Sequence, residues 1–333
     1  MPTVQEELIH RGFVSSEIKS LLQNGKVFLQ GMPTMDGRRE IKSKDLEVHP
    51  NAPRVRPGRD PVLLYRDDDL AVVIKPAGYL SVRATHRHKD PNIMGFVYGM
   101  CGNALPVHRL DEETSGLMVV ALNEKSQERL KNQLEKREVS RRYWAISSGW
   151  MTKKQSVENM LFRNRGDGLR GQRSDGGQFS KDDGKKAISH FQPLEKLQGG
   201  TLIQCTLETG RTHQIRIHLN DLGHTVLGDS IYGTPRIAAR SKRLALHAFS
   251  LSFKHPKTQE EMLFRIPLPD DLEKLRRIML YQEPKESDQE DSDVQKNKAQ
   301  SSKKRDSHKP SSKKGAKIKK SKSKSPKKGK KKK

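Results

Sequence analysis

Short apolar runs and amphipathic helical patterns follow one another along the first 280 residues. Val62–Tyr65 and Leu70–Ile74 are apolar runs separated by the acidic turn RDDD, which is typical of a β-hairpin. Similar runs predict further strands at 117–122, 143–146, 202–207, 245–253 and 262–266. Arg163–Lys186 is rich in Gly, Asp and Arg, and we predict that it is a mobile loop.

Four stretches have the spacing of amphipathic helices, at 17–25, 124–138, 212–222 and from 270 onward. Asn123 is a favourable N-cap for the second of these, and Leu130 and Leu134 would face the core. Because strand pairs follow each other without regular strand–helix alternation, the pattern predicts an α+β fold. Its sheet should be mixed and mostly antiparallel, with flanking helices.

The pattern also divides the chain into four parts. Residues 1–50 form a small unit, 51–60 a linker rich in Pro and Arg, 61–282 one large domain, and 283–333 a Lys-rich tail that we expect to be disordered. The first part contains S-x-x-I-K-x-L-L-x-x-G-K-V, with Lys19 and Lys26, which resembles the αL RNA-binding module. The alternative is a plain N-terminal cap on the large domain.

The positive charge is concentrated at one end of the chain. There are 65 Lys and Arg against 40 Asp and Glu, a net charge of +25, and 19 of the basic residues lie after residue 293 with one acid. Such an excess predicts a polyanionic partner, because cations that neutralise phosphates release condensed counterions. No obligate protein partner is evident, and a monomer is the default expectation.

Several classes of protein are excluded by what the sequence lacks. Cys101 and Cys205 are far apart, so neither a disulfide scaffold nor a Cys-rich zinc site is expected. No apolar run approaches the ~20 residues of a membrane span, and the first residues do not resemble an export signal. These features predict a cytoplasmic protein. The absence of Gly-rich nucleotide motifs predicts no cofactor, and His213 and His218, five apart on a helix, diverge too far to hold a metal.

One candidate stretch is VHRLDEETSGLMVVA, at 107–121. It places the basic pair His108 and Arg109 beside the carboxylate of Asp111, and a Thr-Ser-Gly turn then leads into a buried strand. Loop residues at the mouth of a strand are where a rigid scaffold can present a reactive group. In isolation, however, Asp111 could equally cap a turn and pair with Arg109.

A second candidate stretch is ETGRTHQIRIHL, at 208–219. Arg211 opens the predicted helix, and Gln214 and Arg216 follow in its first turns. Cations at a helix N-terminus oppose the helix dipole, so an anionic partner is expected here.

Five motifs occur together in one order, and they identify a family resemblance. They are K-P-A-G at 75–78, H-R-L-D-x-x-T-S-G-L at 108–117, T-G-R-T-H-Q-I-R-x-H-L at 209–219, L-G-D-x-x-Y-G at 227–233 and L-A-L-H-A at 244–248. Residues 61–269 thus resemble a pseudouridine synthase of the RluA type. The resemblance implies an isomerase that detaches uracil from carbon 1 of its ribose and rejoins it through carbon 5, with no cofactor.

The resemblance also implies roles for particular residues. Asp111 would be the catalytic carboxylate, acting as a nucleophile or as a base, and Arg211 would pair with it. Tyr143 in R-R-Y-W-A-I would stack on the uridine that leaves its helix, although the pattern usually has Lys where this chain has Arg141. Further candidates for contacts with RNA are Arg109, His108, Arg216, Gln214, Lys19 and Lys26.

Two questions remain open at the level of the sequence. Similar enzymes act on large-subunit ribosomal RNA or on transfer RNA, and the αL-like unit favours ribosomal RNA. A non-catalytic RNA-binding or ribosome-assembly factor on the same fold is the alternative to an enzyme, and the presence of Asp111 favours the enzyme.

Overall fold

The computed structural model describes residues 1–51, 55–56, 58–83, 90–163, 165, 169–172 and 184–280. All of them belong to one compact unit. The predicted tail at 283–333, most of the loop predicted at Arg163–Lys186 and part of the linker predicted at 51–60 lie outside the described residues.

Residues 1–50, which we call the N-terminal unit, contain two helices and a three-stranded sheet. The elements are α1 (Val4–His10), α2 (Ser15–Gln23), β1 (Val27–Leu29), β2 (Met32–Pro33) and β3 (Leu46–Val48), with strand order β2-β1-β3 and antiparallel pairing. Their apolar residues form a separate core that includes Val4, Leu8, Ile18, Leu22 and Val27. Helix α2 confirms the helix predicted at 17–25, whereas α1 was not predicted.

The rest of the described chain is built on a ten-stranded sheet. Its strands are β4 (Val62–Arg66), β5 (Leu70–Lys75), β6 (Leu105–Pro106), β7 (Ser115–Ala121), β8 (Ser140–Ser148), β9 (Gln155–Phe162), β10 (Gly184–Leu197), β11 (Gly200–Leu207), β12 (Leu246–Lys254) and β13 (Glu261–Arg265). The order is β4-β5-β7-β12-β8-β11-β10-β9, with β13 beside β12 and β6 beside β7. Only β7 and β12 pair in parallel among these strands, so the mostly antiparallel sheet is confirmed.

Five helices flank this sheet: α3 (Ile93–Cys101), α4 (Glu124–Glu135), α5 (Gln214–Asp221), α6 (Pro235–Ala238) and α7 (Asp270–Ile278). The side chain of Asn123 accepts a hydrogen bond from the Ser126 backbone N–H, as expected of the N-cap of α4. Apolar clusters cover both faces of the sheet around its centre. No helix in the described ranges is long and apolar enough to cross a membrane.

Gly116 allows the two parallel strands to meet. Its φ is 124°, and a Cβ added there would lie 2.3 Å from the Ala248 carbonyl oxygen on β12. Any other residue would push β7 and β12 apart, and β7 begins directly after the turn that carries Asp111. Gly116 is therefore required for the packing of the sheet, and Ser115 and Gly116 of the predicted Thr-Ser-Gly turn are the first residues of β7.

The elements that the sequence did not predict are the ones without a clear apolar pattern. Strand β9 alternates between half-buried and exposed positions along most of its length, and β10 is buried mainly at 187–191 and largely exposed elsewhere. Helix α3 is apolar on all sides and contains two glycines, which hides its helical period.

Candidate active site

Asp111 lies in the turn that leads into β7, and the backbone on both sides of it is fixed. The Ser81 hydroxyl donates to the Leu110 carbonyl at 2.7 Å and accepts from the Leu110 N–H at 3.0 Å. On the other side, the Glu112 carbonyl accepts from the Lys75 ammonium at 2.7 Å. The short loop carrying the carboxylate is thus held at both ends.

Lys75 is a wholly buried cation that serves this turn. Its Nζ also donates to the carbonyls of Pro76 and Tyr79, at 3.0 and 2.7 Å. Burial lowers the pKa of Lys75 to about 7. The K-P-A-G motif therefore supports the loop that presents Asp111.

Arg216 lies next to Asp111, and a second carboxylate holds it there. Its Nη1 is 3.9 Å from Asp111 Oδ2, while Nε and Nη2 donate to the two carboxylate oxygens of Asp229 at 2.7 Å each. The Arg216 side chain is 3% exposed and that of Asp229 is wholly buried. Burial alone would raise the pKa of Asp229, but the hydrogen bonds from Arg216 outweigh it and the pKa is lowered.

The predicted pairing of Arg211 with Asp111 is therefore wrong, because Arg216 is the arginine near that carboxylate. Helix α5 begins at Gln214, so Arg211 precedes it, and its Nε donates to the Lys186 carbonyl at 3.0 Å. Arg216 was predicted to contact RNA, but its buried guanidinium is committed to two carboxylates instead.

His213 is a second group beside Asp111, and it connects the turn to the L-G-D-x-x-Y-G motif. Its Nε2 is 4.0 Å from Asp111 Oδ1, and its Nδ1 hydrogen-bonds with the Tyr232 hydroxyl at 3.0 Å. Burial lowers the pKa of His213. Its φ of 60° is unusual for a residue other than glycine, and it sets the direction in which α5 starts.

Tyr143 and Asp111 line the same cavity, which has a volume of about 470 Å³. Tyr143 lies on β8 and is 6% exposed, and burial raises the pKa of its hydroxyl to about 12. A cavity of this size, open at its mouth, can accept a nucleobase that has left its stack. The structure thus brings together Asp111 and Tyr143, two of the residues predicted to be catalytic.

Two residues predicted to bind RNA have structural roles instead. Gln214 is 2% exposed, and its amide is fully used: its oxygen accepts from Thr209 and from the Arg211 N–H, and its NH₂ donates to Ile188 and Ser189. The Nε2 of His108 accepts from the Val119 N–H at 3.1 Å, and burial lowers the pKa of His108 to about 3. A neutral imidazole engaged with the backbone cannot neutralise a phosphate.

The other RNA candidates remain at the surface. Arg109 is exposed and lines the cavity, and Lys19 is exposed on α2. Lys26 is partly exposed and directly precedes β1. Their contact with RNA stays a prediction.

Sequence reasoning missed the roles of Asp229, Arg216 and His213. Asp229 belongs to the L-G-D-x-x-Y-G motif, but the motif alone does not indicate its partner. Its position opposite Arg216 depends on how two distant segments pack, which no local pattern reveals.

Asp67, Asp69 and His255 form a cluster in the described chain with the composition of a metal site. The His255 Nδ1 accepts from the N–H groups of Lys257 and Thr258, so the proton is on Nε2, which donates to Asp67. Neither imidazole nitrogen has a lone pair available for a metal ion. The cluster is therefore a hydrogen-bonded corner between two turns.

Comparisons with known proteins agree with this geometry. The family model described as RNA pseudouridylate synthase matches residues 69–221. A protein of Neisseria meningitidis named ribosomal large subunit pseudouridine synthase D is 32% identical, over 79% of this chain and 74% of its own length. One of the same name from Vibrio vulnificus is 34% identical, over 79% and 86%.

A solved structure is similar as well. Human RNA pseudouridylate synthase domain containing 1 superimposes with a TM-score of 0.55 and 25% identity, covering 70% of this chain and 94% of its own. The RluA-type resemblance and the α+β fold are confirmed.

Proposed function

The chain belongs to the RNA pseudouridylate synthase family and is an isomerase that converts uridine in RNA to pseudouridine, and we propose that its substrate is large-subunit ribosomal RNA. The names of the Neisseria and Vibrio relatives support this substrate. A cytoplasmic location and a monomeric state are part of the proposal. Transfer RNA is the competing substrate.

Asp111 is the catalytic carboxylate in this proposal, and it acts on the ribose either as a nucleophile at carbon 1 or as a base. The observation that carries the proposal is its position: Asp111 lies at a cavity of about 470 Å³, with Arg216 Nη1 at 3.9 Å. The guanidinium places a positive charge beside the carboxylate, whose charge changes during the reaction in both mechanisms. Asp229 fixes Arg216 and so keeps the charge in place.

Tyr143 and Arg109 would contact the uridine and the RNA around it as the uridine enters the cavity. The Tyr143 ring lies in the cavity wall, where stacking on a flipped base is worth ~1–3 kcal/mol. Arg109 is exposed at the same cavity, where it can contact the RNA from which the base has left.

The N-terminal unit would contribute a second RNA-binding surface. It has its own apolar core, and Lys19 projects from α2 into solvent. Lys19 and Lys26 lie in the stretch that resembles the αL module. Their role is to position the ribosomal RNA and does not extend to the chemistry.

The test is release of tritium from large-subunit ribosomal RNA labelled at carbon 5 of uridine, using Asp111→Asn. This change keeps the shape of the side chain and removes its charge, so we expect a loss of about a thousandfold or more in rate with RNA binding retained. The matched control is Asp68→Asn, which makes the same change at an exposed turn outside the cavity.

Two outcomes would contradict the proposal. Activity of Asp111→Asn within tenfold of wild type would reject the role of this carboxylate. If the wild-type protein released tritium from transfer RNA and none from ribosomal RNA, the proposed substrate would be wrong and the enzyme assignment would remain.

A further inference from the structure

Arg141 is a buried cation without a counter-ion. It lies on β8 two residues before Tyr143 and is 9% exposed. Its guanidinium makes one long hydrogen bond, from Nη2 to the Glu208 carbonyl at 3.4 Å, and its Nε is buried with no partner. Within the described ranges, no carboxylate forms an ion pair with Arg141.

Such an arrangement is costly for a folded protein. Moving a guanidinium out of water is unfavourable unless a counter-ion and hydrogen bonds compensate for it. Burial lowers the pKa of Arg141, and the neighbouring charge of Arg211 acts in the same direction. Arginine nevertheless stays protonated in proteins, so the charge is retained. The stability of the fold therefore does not explain why the Arg141 guanidinium is buried at this position.

The surroundings of Arg141 point to a ligand. Arg141 lines the cavity that also contains Asp111 and Tyr143, and Arg211 lines the same wall. The hydroxyl of Thr114, another lining residue, is also buried without a partner. Two cations and an unsatisfied hydroxyl therefore surround one space.

The loop beside Arg141 is fitted closely to its guanidinium. A Cβ added at Gly210 would lie 2.5 Å from Arg141 Nη1, so any larger residue would displace the guanidinium from this position. Gly210 directly precedes Arg211, and the T-G-R sequence thus brings the second arginine to the same wall. This contact is a physical reason for a glycine at position 210.

We propose that Arg141, together with Arg211, binds a backbone phosphate of the RNA next to the uridine that enters the cavity. The inference rests on the proposed function for the identity of the ligand as RNA. A phosphate satisfies both needs of the site: its negative charge compensates the buried cation, and two of its oxygens match the fork formed by Nη1 and Nη2. The carbonyls of uracil could accept hydrogen bonds but would leave the charge uncompensated.

The test compares Arg141→Met and Arg141→Lys with Arg142→Met in the full-length protein. Arg142 is the next residue of β8, so its side chain leaves the opposite face of the strand, and it does not line the cavity. Both methionine variants remove one cation from the same strand. Only the change at Arg141 should affect the phosphate site.

The first measurement is thermal unfolding without ligand. If Arg141 serves a ligand, replacing its unpaired charge by an apolar side chain should leave the melting temperature unchanged or raise it. A drop of several degrees for Arg141→Met, absent in Arg142→Met, would overturn the proposal, because it would show that the guanidinium stabilises the fold.

The second measurement is thermal stabilisation by two probes, uridine 3′,5′-bisphosphate and uridine. Arg141→Met should lose the stabilisation by the bisphosphate, Arg141→Lys should keep part of it, and Arg142→Met should keep all of it. Equal loss of stabilisation by uridine and by the bisphosphate would show contact with the base and overturn the phosphate assignment. Full retention in Arg141→Met would overturn it as well.

The third measurement is tritium release, which separates this inference from the proposed function. With an active wild-type enzyme, Arg141→Met should lower kcat/KM by about 10- to 100-fold, with partial recovery in Arg141→Lys. Unchanged kcat/KM would reject the phosphate site alone. A wild-type protein without activity on any RNA would reject the proposed function, while the two unfolding measurements would still test the site.

Discussion

At the scale of single residues, the most consequential arrangement is the one around Arg216. Asp229 binds two of its nitrogens and leaves Nη1 directed toward Asp111. A cation held in this way does not have to reorganise when substrate binds, which is an advantage for electrostatic stabilisation in a closed site. This arrangement requires a buried ion pair between Arg216 and Asp229. Loss of either partner would leave the other charge buried and uncompensated.

We therefore predict that Asp229→Asn is damaging to both stability and activity. The amide has one oxygen for two donors, so Arg216 loses its counter-ion and its orientation. We expect a loss of about 3–5 kcal/mol in the free energy of unfolding and roughly a hundredfold in turnover. Denaturant unfolding and tritium release measure the two effects. Asp221→Asn, at the exposed end of α5, is the matched control and should be close to wild type.

Protonation of buried histidine should limit the stability of the protein in acid. His247 is wholly buried, its Nδ1 hydrogen-bonds with the Ser115 hydroxyl at 2.8 Å, and its Nε2 donates to the Pro267 carbonyl at 3.1 Å. Burial lowers the pKa of His247 to about 3. In the unfolded chain the pKa of this histidine is near 6.5. The unfolded chain therefore binds a proton at pH values where the folded chain does not.

The sign of the effect follows directly. Between about pH 6.5 and pH 4 the unfolded state binds more protons, so the free energy of unfolding falls as the pH falls, by about 1.4 kcal/mol per pH unit for this residue. We predict that His247→Gln removes this contribution to the slope of the free energy of unfolding against pH. The prediction holds whatever the variant does to the free energy of unfolding at pH 7.5. Urea unfolding at pH 6.5, 5.5 and 5.0 measures it, and an unchanged slope would contradict the prediction.

At the scale of elements, α7 connects the N-terminal unit to the large sheet. The carboxylate of Asp270, its first residue, accepts from the Thr34 hydroxyl at 2.7 Å, the Met35 N–H at 2.8 Å and Arg39 at 3.1 Å. Pro269 is the N-cap of α7, so the Asp270 carboxylate does not cap the helix. The carboxylate instead serves a contact between distant parts of the chain.

We predict that Asp270→Ala loosens the N-terminal unit and leaves the catalytic cavity intact. Three donors lose their acceptor, which should cost about 1–3 kcal/mol and raise amide hydrogen exchange in residues 1–50. Asp271→Ala is the matched control, since Asp271 pairs with Arg243 of the large domain and not with the N-terminal unit. Equal exchange in the two variants would contradict the role of Asp270.

Strand β8 shows how one element can serve two functions. Arg141 and Tyr143 leave one face and line the cavity, while Trp144 on the other face stacks on Phe249, with ring centroids 3.9 Å apart. A shift of one residue in the pairing of β8 with β11 would exchange these faces. The register of this strand is therefore as important to the site as the identity of its side chains.

At the scale of the whole molecule, most of the excess positive charge lies in a segment of the sequence separate from the residues of the catalytic cavity. Residues 294–333 contain 19 Lys and Arg and no aromatic residue. Such a segment can neutralise phosphates but has nothing with which to read bases. Its contribution to binding should be independent of RNA sequence.

We predict that a chain ending at Pro284 binds all RNAs more weakly and with less dependence on salt. If roughly six of the cations contact single-stranded RNA, the slope of log affinity against log salt concentration should flatten by ~4 units. The modified site and the turnover at saturating RNA should be unchanged. Affinities at several salt concentrations and a map of pseudouridines test this. An unchanged slope would reject the phosphate role, and a changed site would show that the tail carries specificity.

The sequence by itself determined the class of fold and the carboxylate. The continuous apolar runs of strands such as β5 and β7 are a local property, set by the requirement that both faces of these strands be buried. The position of Asp111 before a buried strand is local as well, and the five motifs in order identified the family. The half-exposed β9 and the apolar α3 lacked a periodic pattern and were missed.

Only the tertiary structure decided which arginine serves Asp111. The left-handed backbone of His213 delays the start of α5 to Gln214, so that Arg216 points at Asp111 and Arg211 does not. Asp229, from another segment, then fixes Arg216. Such pairing depends on the approach of segments distant in sequence, whose geometry comes from packing and from the cost of burying charges without partners. Residue spacing within one motif contains no information about it.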